Sequence, residues 1–227
     1  MGAPVMGDGL ESGTGETTRS PLSAVLPQGR LRAGTAASTG GDMPLLLALA
    51  AQTAQGTAGW AAVGLPQLGT LAAESAGLEL ARGMRIDEPG HRWGQVLVIA
   101  LEAVPVVLVG ALGPVSDQVA RRLAAVLRRS GSILIAADQW EGAEVRLRVV
   151  SASWEGVGQG HGLLRGRRVT VAAAGRGAAA AARHAEMWLP GPDGRVAPLH
   201  DLHDQRPATA AEDLPVRERR TVMHLVG

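Results

Sequence analysis

The chain contains no lysine; each of its 22 basic residues is an arginine. A guanidinium stays charged and cannot act as the tunable ammonium of a phosphate-loop lysine or of a Schiff base, so both chemistries are excluded. Cysteine is absent too. That rules out disulfides and thiolate metal sites and fits a reducing compartment. Phenylalanine, tyrosine and asparagine are also missing. Together with lysine these are residues of A/T-rich codons, the pattern expected of a very GC-rich genome. The chemical exclusions hold whatever their origin, and five tryptophans are left to supply all aromatic packing. No uninterrupted membrane-length apolar run occurs, since "VLVIALEAVPVVLVGAL" carries Glu102 and Pro105. The opening "MGAPVMGDGLESGTGETTRSP" lacks a basic stretch followed by an apolar one. A cytoplasmic protein is expected, and its net charge of +1 gives no global drive toward nucleic acid.

What is present is the composition of a globular domain, 46% hydrophobic over 227 residues, enough for one full core with tails. Residues 1–21, rich in Gly, Ser, Thr and acidic residues without periodicity, predict a disordered leader. The ordered domain runs over 22–190, after which the chain turns polar and Pro-rich, predicting a flexible tail over 191–227. "GRLRAG" predicts a short strand, and "MPLLLALAAQTAQG" an apolar helix with Pro44 in its first turn, where a missing N–H costs little. "GWAAVGL" predicts a strand, "QLGTLAAESAGL" a helix ending at Gly77, and "RGMRI" a third strand. "PGHRWGQVLVIALEA" begins as a helix that Pro105 stops before "VVLVGAL", a β-branched run typical of a strand buried on both faces. "SDQVARRLAAVLRRSG" gathers Val119, Leu123, Val126 and Leu127 on one helical face, with Ser116 as N-cap and Gly131 past the end. "SILIAADQ" is another buried strand. This alternation predicts an α/β fold, a mostly parallel sheet flanked by helices. From Glu144, "EVRLRVVSASW", "GRRVTVAAAG" and "RHAEMWLP" predict an antiparallel C-terminal extension of the same sheet.

In "LPQGRLRAGTAASTGGDMPLLLALA", residues 26–50, a Gly-rich turn lies between a strand and a helix, the position of a phosphate loop. Gly40, Gly41 and Asp42 stand where such a loop needs its Lys and its Ser or Thr. The Asp42 carboxylate would repel a triphosphate. A degenerate P-loop with no cofactor is therefore expected. Catalytic and metal sites are expected to be absent: no Ser lies in a nucleophile-elbow context, and the histidines of "HDLHD" at 200–204 have no outer groups to orient them.

Arg165, Arg167 and Arg168 form a basic cluster that either contacts phosphates or protects a strand edge by charge. Trp140 and Trp154 either stack on a base or a partner, or pack in the core. The segment "AAEDLPVRERRTVMHLVG" starts acidic, turns basic and ends with Val222, Met223, Leu225 and Val226. Such an apolar cluster docks on a partner groove as a short helix or strand, or folds back on its own sheet.

The order and wording of these segments resemble the RecA core: "LPQGRL" before the turn, "LLLALAAQ" after it, "VPVVLVGAL" as the Walker B strand, "ILIAADQ" as the strand ending in Gln, and "VRLRVV" and "RRVTVAAAGRGAAAAARHAEMWL" as closing strands. More narrowly, "SWEGVGQGHGLLRGRRVTV" and "AEMWLPG" resemble the short RecA-like accessory proteins of actinobacteria, the ImuA′ type of DNA-damage mutagenesis cassettes. The resemblance spans residues 22–191. It implies a RecA-like core in which the Walker lysine falls at Gly41, the Mg²⁺-binding hydroxyl at Asp42, the Walker B carboxylate at Gly110 and the water-activating glutamate near Pro66. ATPase activity is not expected. The two DNA-binding loops of RecA are reduced to "GALGPVSDQ" and "DQWEGAEVRL", so nucleic-acid binding in the RecA manner is not expected either. What the resemblance implies instead is a non-catalytic adapter in translesion synthesis during the SOS response. Its partners would be an ImuB-like Y-family protein and, through it, an error-prone replicative-type DNA polymerase and the sliding clamp. Two alternatives stay open: a single-stranded-DNA-binding accessory protein, and a regulator of RecA or of cell division.

Overall fold

The computed structural model describes residues 19–199 apart from 114, 159 and 160. Most of the expected leader, the 200–204 histidines and the apolar residues Val222, Met223, Leu225 and Val226 lie outside the described residues. The chain runs β1 (Ala36–Ser38), α1 (Met43–Ala54), β2 (Trp60–Val63), α2 (Thr70–Ala76), β3 (Gly83–Ile86), α3 (Trp93–Ala103), β4 (Val106–Val109), α4 (Asp117–Ser130), β5 (Ile133–Ala136), β6 (Val145–Gly158), β7 (His161–Gly175) and β8 (Arg183–Trp188). The strands form one eight-stranded sheet in the order β3-β2-β4-β5-β1-β6-β7-β8. No helix among the described residues is long and apolar enough to cross a membrane.

The centre of the parallel half follows from short, wholly buried strands. β2 and β4 have every residue buried, and β4 pairs in parallel with both β2 and β5. Residues buried on both faces must be apolar throughout, which is why these segments read as unbroken runs. α1 and α2, with the turns of residues 21–29, pack on one face, and α3 and α4 on the other. α1 is apolar almost all round because it lies between the sheet and that N-terminal segment, burying every residue from Leu45 to Ala51. α4 is amphipathic instead, burying Leu123, Val126 and Leu127 and leaving Arg121, Arg122, Arg128 and Arg129 exposed. Ser116 accepts a hydrogen bond from the Val119 N–H at its start, and Gly131 closes it in the left-handed region.

Two expectations need correction. The first strand lies at Ala36–Ser38, after "GRLRAG". The Arg30-Leu31-Arg32 alternation imitates a strand, but Gly34 turns the chain at φ +77°, where a Cβ would stand 3.3 Å from the α4 backbone at Arg128. The antiparallel extension also begins one strand later than expected. β6 joins the sheet parallel to β1, and antiparallel pairing starts between β6 and β7.

β6 and β7 are 14 and 15 residues long, against four for β2, β4 and β5. β8 accompanies β7 only as far as Arg168, opposite Trp188, with Leu189 and Pro190 adding bonds to Arg167. The β6–β7 pairing goes further, through Trp154↔Arg167 and Glu155↔Gly166. The two strands thus leave the sheet as a ribbon. Residues 191–199, in the stretch expected to be tail, turn back so that Ala197 pairs with Trp188.

Candidate functional site

The C-terminal ends of β1, β2 and β4 and the residues just beyond β5 meet at one edge of the sheet, where ligands bind in open α/β folds. The Gly-rich turn leaves β1 at this edge and enters α1. A phosphate loop works by aiming backbone N–H groups and a helix N-terminus at an anion. Here those donors have other partners. The Thr39 N–H donates to the Ala136 carbonyl and the Gly41 N–H to the Ala137 carbonyl at 2.6 Å. The Thr39 hydroxyl is buried between the same two carbonyls. Pro44, second residue of α1, has no N–H to offer, and the Leu45 N–H donates to Asp42 Oδ1 at 3.0 Å.

Asp42 is the N-cap of α1, and its carboxylate occupies the electrostatic position an anion would take. Its second oxygen, Oδ2, lies 2.8 Å from the Arg167 guanidinium of β7, each side chain 14% exposed. A carboxylate of the chain, held by the helix N-terminus and an arginine, therefore stands where a bound phosphate would. The surrounding depression, about 390 Å³, is open and shallow and is lined by Gly40, Gly41, Asp42, Val149–Ala152 and Arg167.

The same edge is shut at β2 and β4. Gly110 follows β4 and donates its N–H to the Val63 carbonyl, while Gly64 follows β2. A Cβ on Gly110 would lie 1.9 Å from the Gly64 carbonyl oxygen. No side chain fits there unless the two strand ends move apart. The Pro66 carbonyl accepts a hydrogen bond from Arg85, whose guanidinium also pairs with Asp87 at 2.6 Å. Among the described residues no group of three or more His, Asp or Glu is placed to hold a metal ion.

The arginine cluster does not act as a unit. Arg167 and Arg168 are successive strand residues and point to opposite faces of the sheet. Arg167 is held by Asp42, and Arg168 donates to Glu186 at 2.7 Å, a hydrogen bond that raises the Arg168 pKa further above its ordinary value. Only Arg165, exposed on the ribbon, has no ion-pair partner among the described residues.

The tryptophans divide. Trp60 and Trp188 are buried, and Trp140 packs half-buried on the second core cluster. Trp154 is 53% exposed on the ribbon, together with Leu163 at 83% and Leu164 at 60%. The Leu163–Leu164 pair is a site that residue-type reasoning passed over, although an apolar pair beside Arg165, just ahead of the expected strand, was the available signal.

These features define a class: an α/β domain with a strand–turn–helix anion position filled by its own carboxylate, and an apolar ribbon beside it. The chain belongs to the MT3502 N-terminal domain family, whose model matches residues 24–142. It is also 31% identical over 124 residues to the uncharacterized protein Rv3395c of Mycobacterium tuberculosis, covering 54% of this chain and 61% of that relative. The match thus spans about three fifths of the relative's length. The family match ends in the crossover before β6, so the ribbon lies beyond it.

Proposed function

We propose that this protein is a non-catalytic, RecA-like adapter of the ImuA′ type, acting by protein association in an error-prone translesion synthesis complex. The observation that carries the non-catalytic part is the Asp42–Arg167 pair at the α1 N-terminus. A triphosphate placed there would meet a carboxylate, with no lysine and no space for a metal-binding acid at Gly110. The adapter part rests on the resemblance of "SWEGVGQGHGLLRGRRVTV" and "AEMWLPG", residues of the ribbon and of β8, to that type. Exposed Trp and Leu side chains on the ribbon support it, because buried aromatic and apolar anchors dominate association energies.

The direct test is co-purification with the ImuB-like Y-family protein of the same genome, using the whole chain and a chain lacking residues 200–227. Binding by the whole chain and its loss on truncation is the expected result, placing anchors at Val222, Met223, Leu225 and Val226. Absence of any association between the soluble whole chain and that partner would overturn the assignment.

A further inference from the structure

The ribbon presents the densest apolar exposure of the described chain: Trp154, Leu163 and Leu164 are three of the seven large hydrophobic residues found exposed, and a fourth, Val150, lies on β6 just before it. The other three, Leu71, Met84 and Ile99, are scattered over α2, β3 and α3. Beyond Arg167 the outer edge of β7 has no pairing neighbour among the described residues, so its N–H and C=O groups form a template for one more strand. Apolar side chains beside an open edge need a cover.

We infer that the chain supplies that cover itself: residues 221–226, "TVMHLV", add to the open edge of β7 and pack on Trp154, Leu163 and Leu164. The described chain leaves the sheet beside this edge, since Ala197 pairs with Trp188, which lies opposite Arg168. Leu164 is four residues further along β7, roughly 13 Å away. A coil-like connection of the length of residues 200–221 averages about 25 Å end to end, and its full reach is longer still. A ligand tethered at that distance has an effective concentration on the order of millimolar, so even a weak apolar contact is occupied. As a strand, the segment would place Met223 and Leu225 on one face and Val222 and Val226 on the other. Both faces of a two-stranded ribbon are open to such contacts. Arg219 and Arg220 immediately precede the segment, and Glu155 is exposed at the ribbon without an ion-pair partner among the described residues. Its charge complements theirs, but the neighbouring Arg165 opposes it, so the open edge and the apolar side chains carry the inference.

This inference rests on the reading of 222–226 as a docking element. It adds that in the unbound protein the element is sheltered in cis, so a partner must displace it from the ribbon. The absence of cysteine permits a clean test on the chain alone. The paired substitution Leu164→Cys with Met223→Cys is compared with Ile99→Cys plus Met223→Cys, Ile99 being 64% exposed on α3 across the sheet. Under mild oxidation the first pair should close an intramolecular disulfide at least about tenfold faster than the second. Its rate should not depend on protein concentration, as the tethered arrangement requires. Equal rates for the two pairs would overturn the inference. A disulfide that forms only between chains, with a concentration-dependent rate, would overturn it too and identify a second copy as the cover. The partner plays no part in this experiment, so its failure and a failure of partner binding are separate results.

Discussion

Asp42 does two jobs with two oxygens, capping α1 through the Leu45 N–H and neutralising Arg167. Removing it costs both, because the helix loses a cap worth about 1 kcal/mol and a largely buried guanidinium loses its partner. Asp42→Ala should therefore lower stability by about 2 kcal/mol in urea unfolding. Arg167→Ala leaves the cap in place and should cost about half as much. In a double-mutant cycle the two should couple by more than about 0.5 kcal/mol, whereas independent residues would add. The ion pair was not legible at Asp42 itself, where the sequence shows only an acid just ahead of an apolar helix. The partner comes from β7, at the other end of the domain, and a single sequence carries no signal of that pairing. The Arg165–Arg168 cluster divides for another local reason. Consecutive charges on a strand look like one patch in sequence and face opposite ways in space.

At the scale of elements, the closure of β2 against β4 is the most exacting contact. Placing an acid there with Gly110→Asp should lower stability by about 3 kcal/mol or more, since a Cβ 1.9 Å from the Gly64 oxygen forces the two strand ends apart. The readout is the midpoint of thermal or urea unfolding, and a stability equal to the parent chain would refute the steric account. Elements with a strong local pattern were legible. α4 shows its apolar face, cap and terminal glycine in sequence, and β4 and β5 show their β-branched runs. β1 was not, because Ala36–Ser38 holds three small residues that are strand only through pairing with β5 and β6 on either side. The ribbon was half legible: the alternation of β6 and β7 was visible, but not that β8 stops short of its tip.

For the whole molecule, an anion position already filled predicts indifference to nucleotide. A ligand present at about 100 times its Kd stabilises by about 2.7 kcal/mol, easily seen as a rise in Tm. Millimolar ATP or ADP with Mg²⁺ should leave the Tm unchanged, and a rise of several degrees would refute the closed-site reading. The family match covers the strands up to β5 and stops before β6. The apolar ribbon lies in the half beyond the matched residues.

The ion pair between Asp42 and Arg167 joins these halves, and it turns the ribbon into a lever with a fixed fulcrum. Trp154 pairs with Arg167 directly across the strands, and Leu164 is three residues beyond. A load on the tip from any bound chain is therefore transmitted through Arg167 to the first turn of α1, the most completely buried helix of the fold. Because the pair is largely buried, salt screens it little, and the charge at position 42 matters more to this hold than ionic strength does.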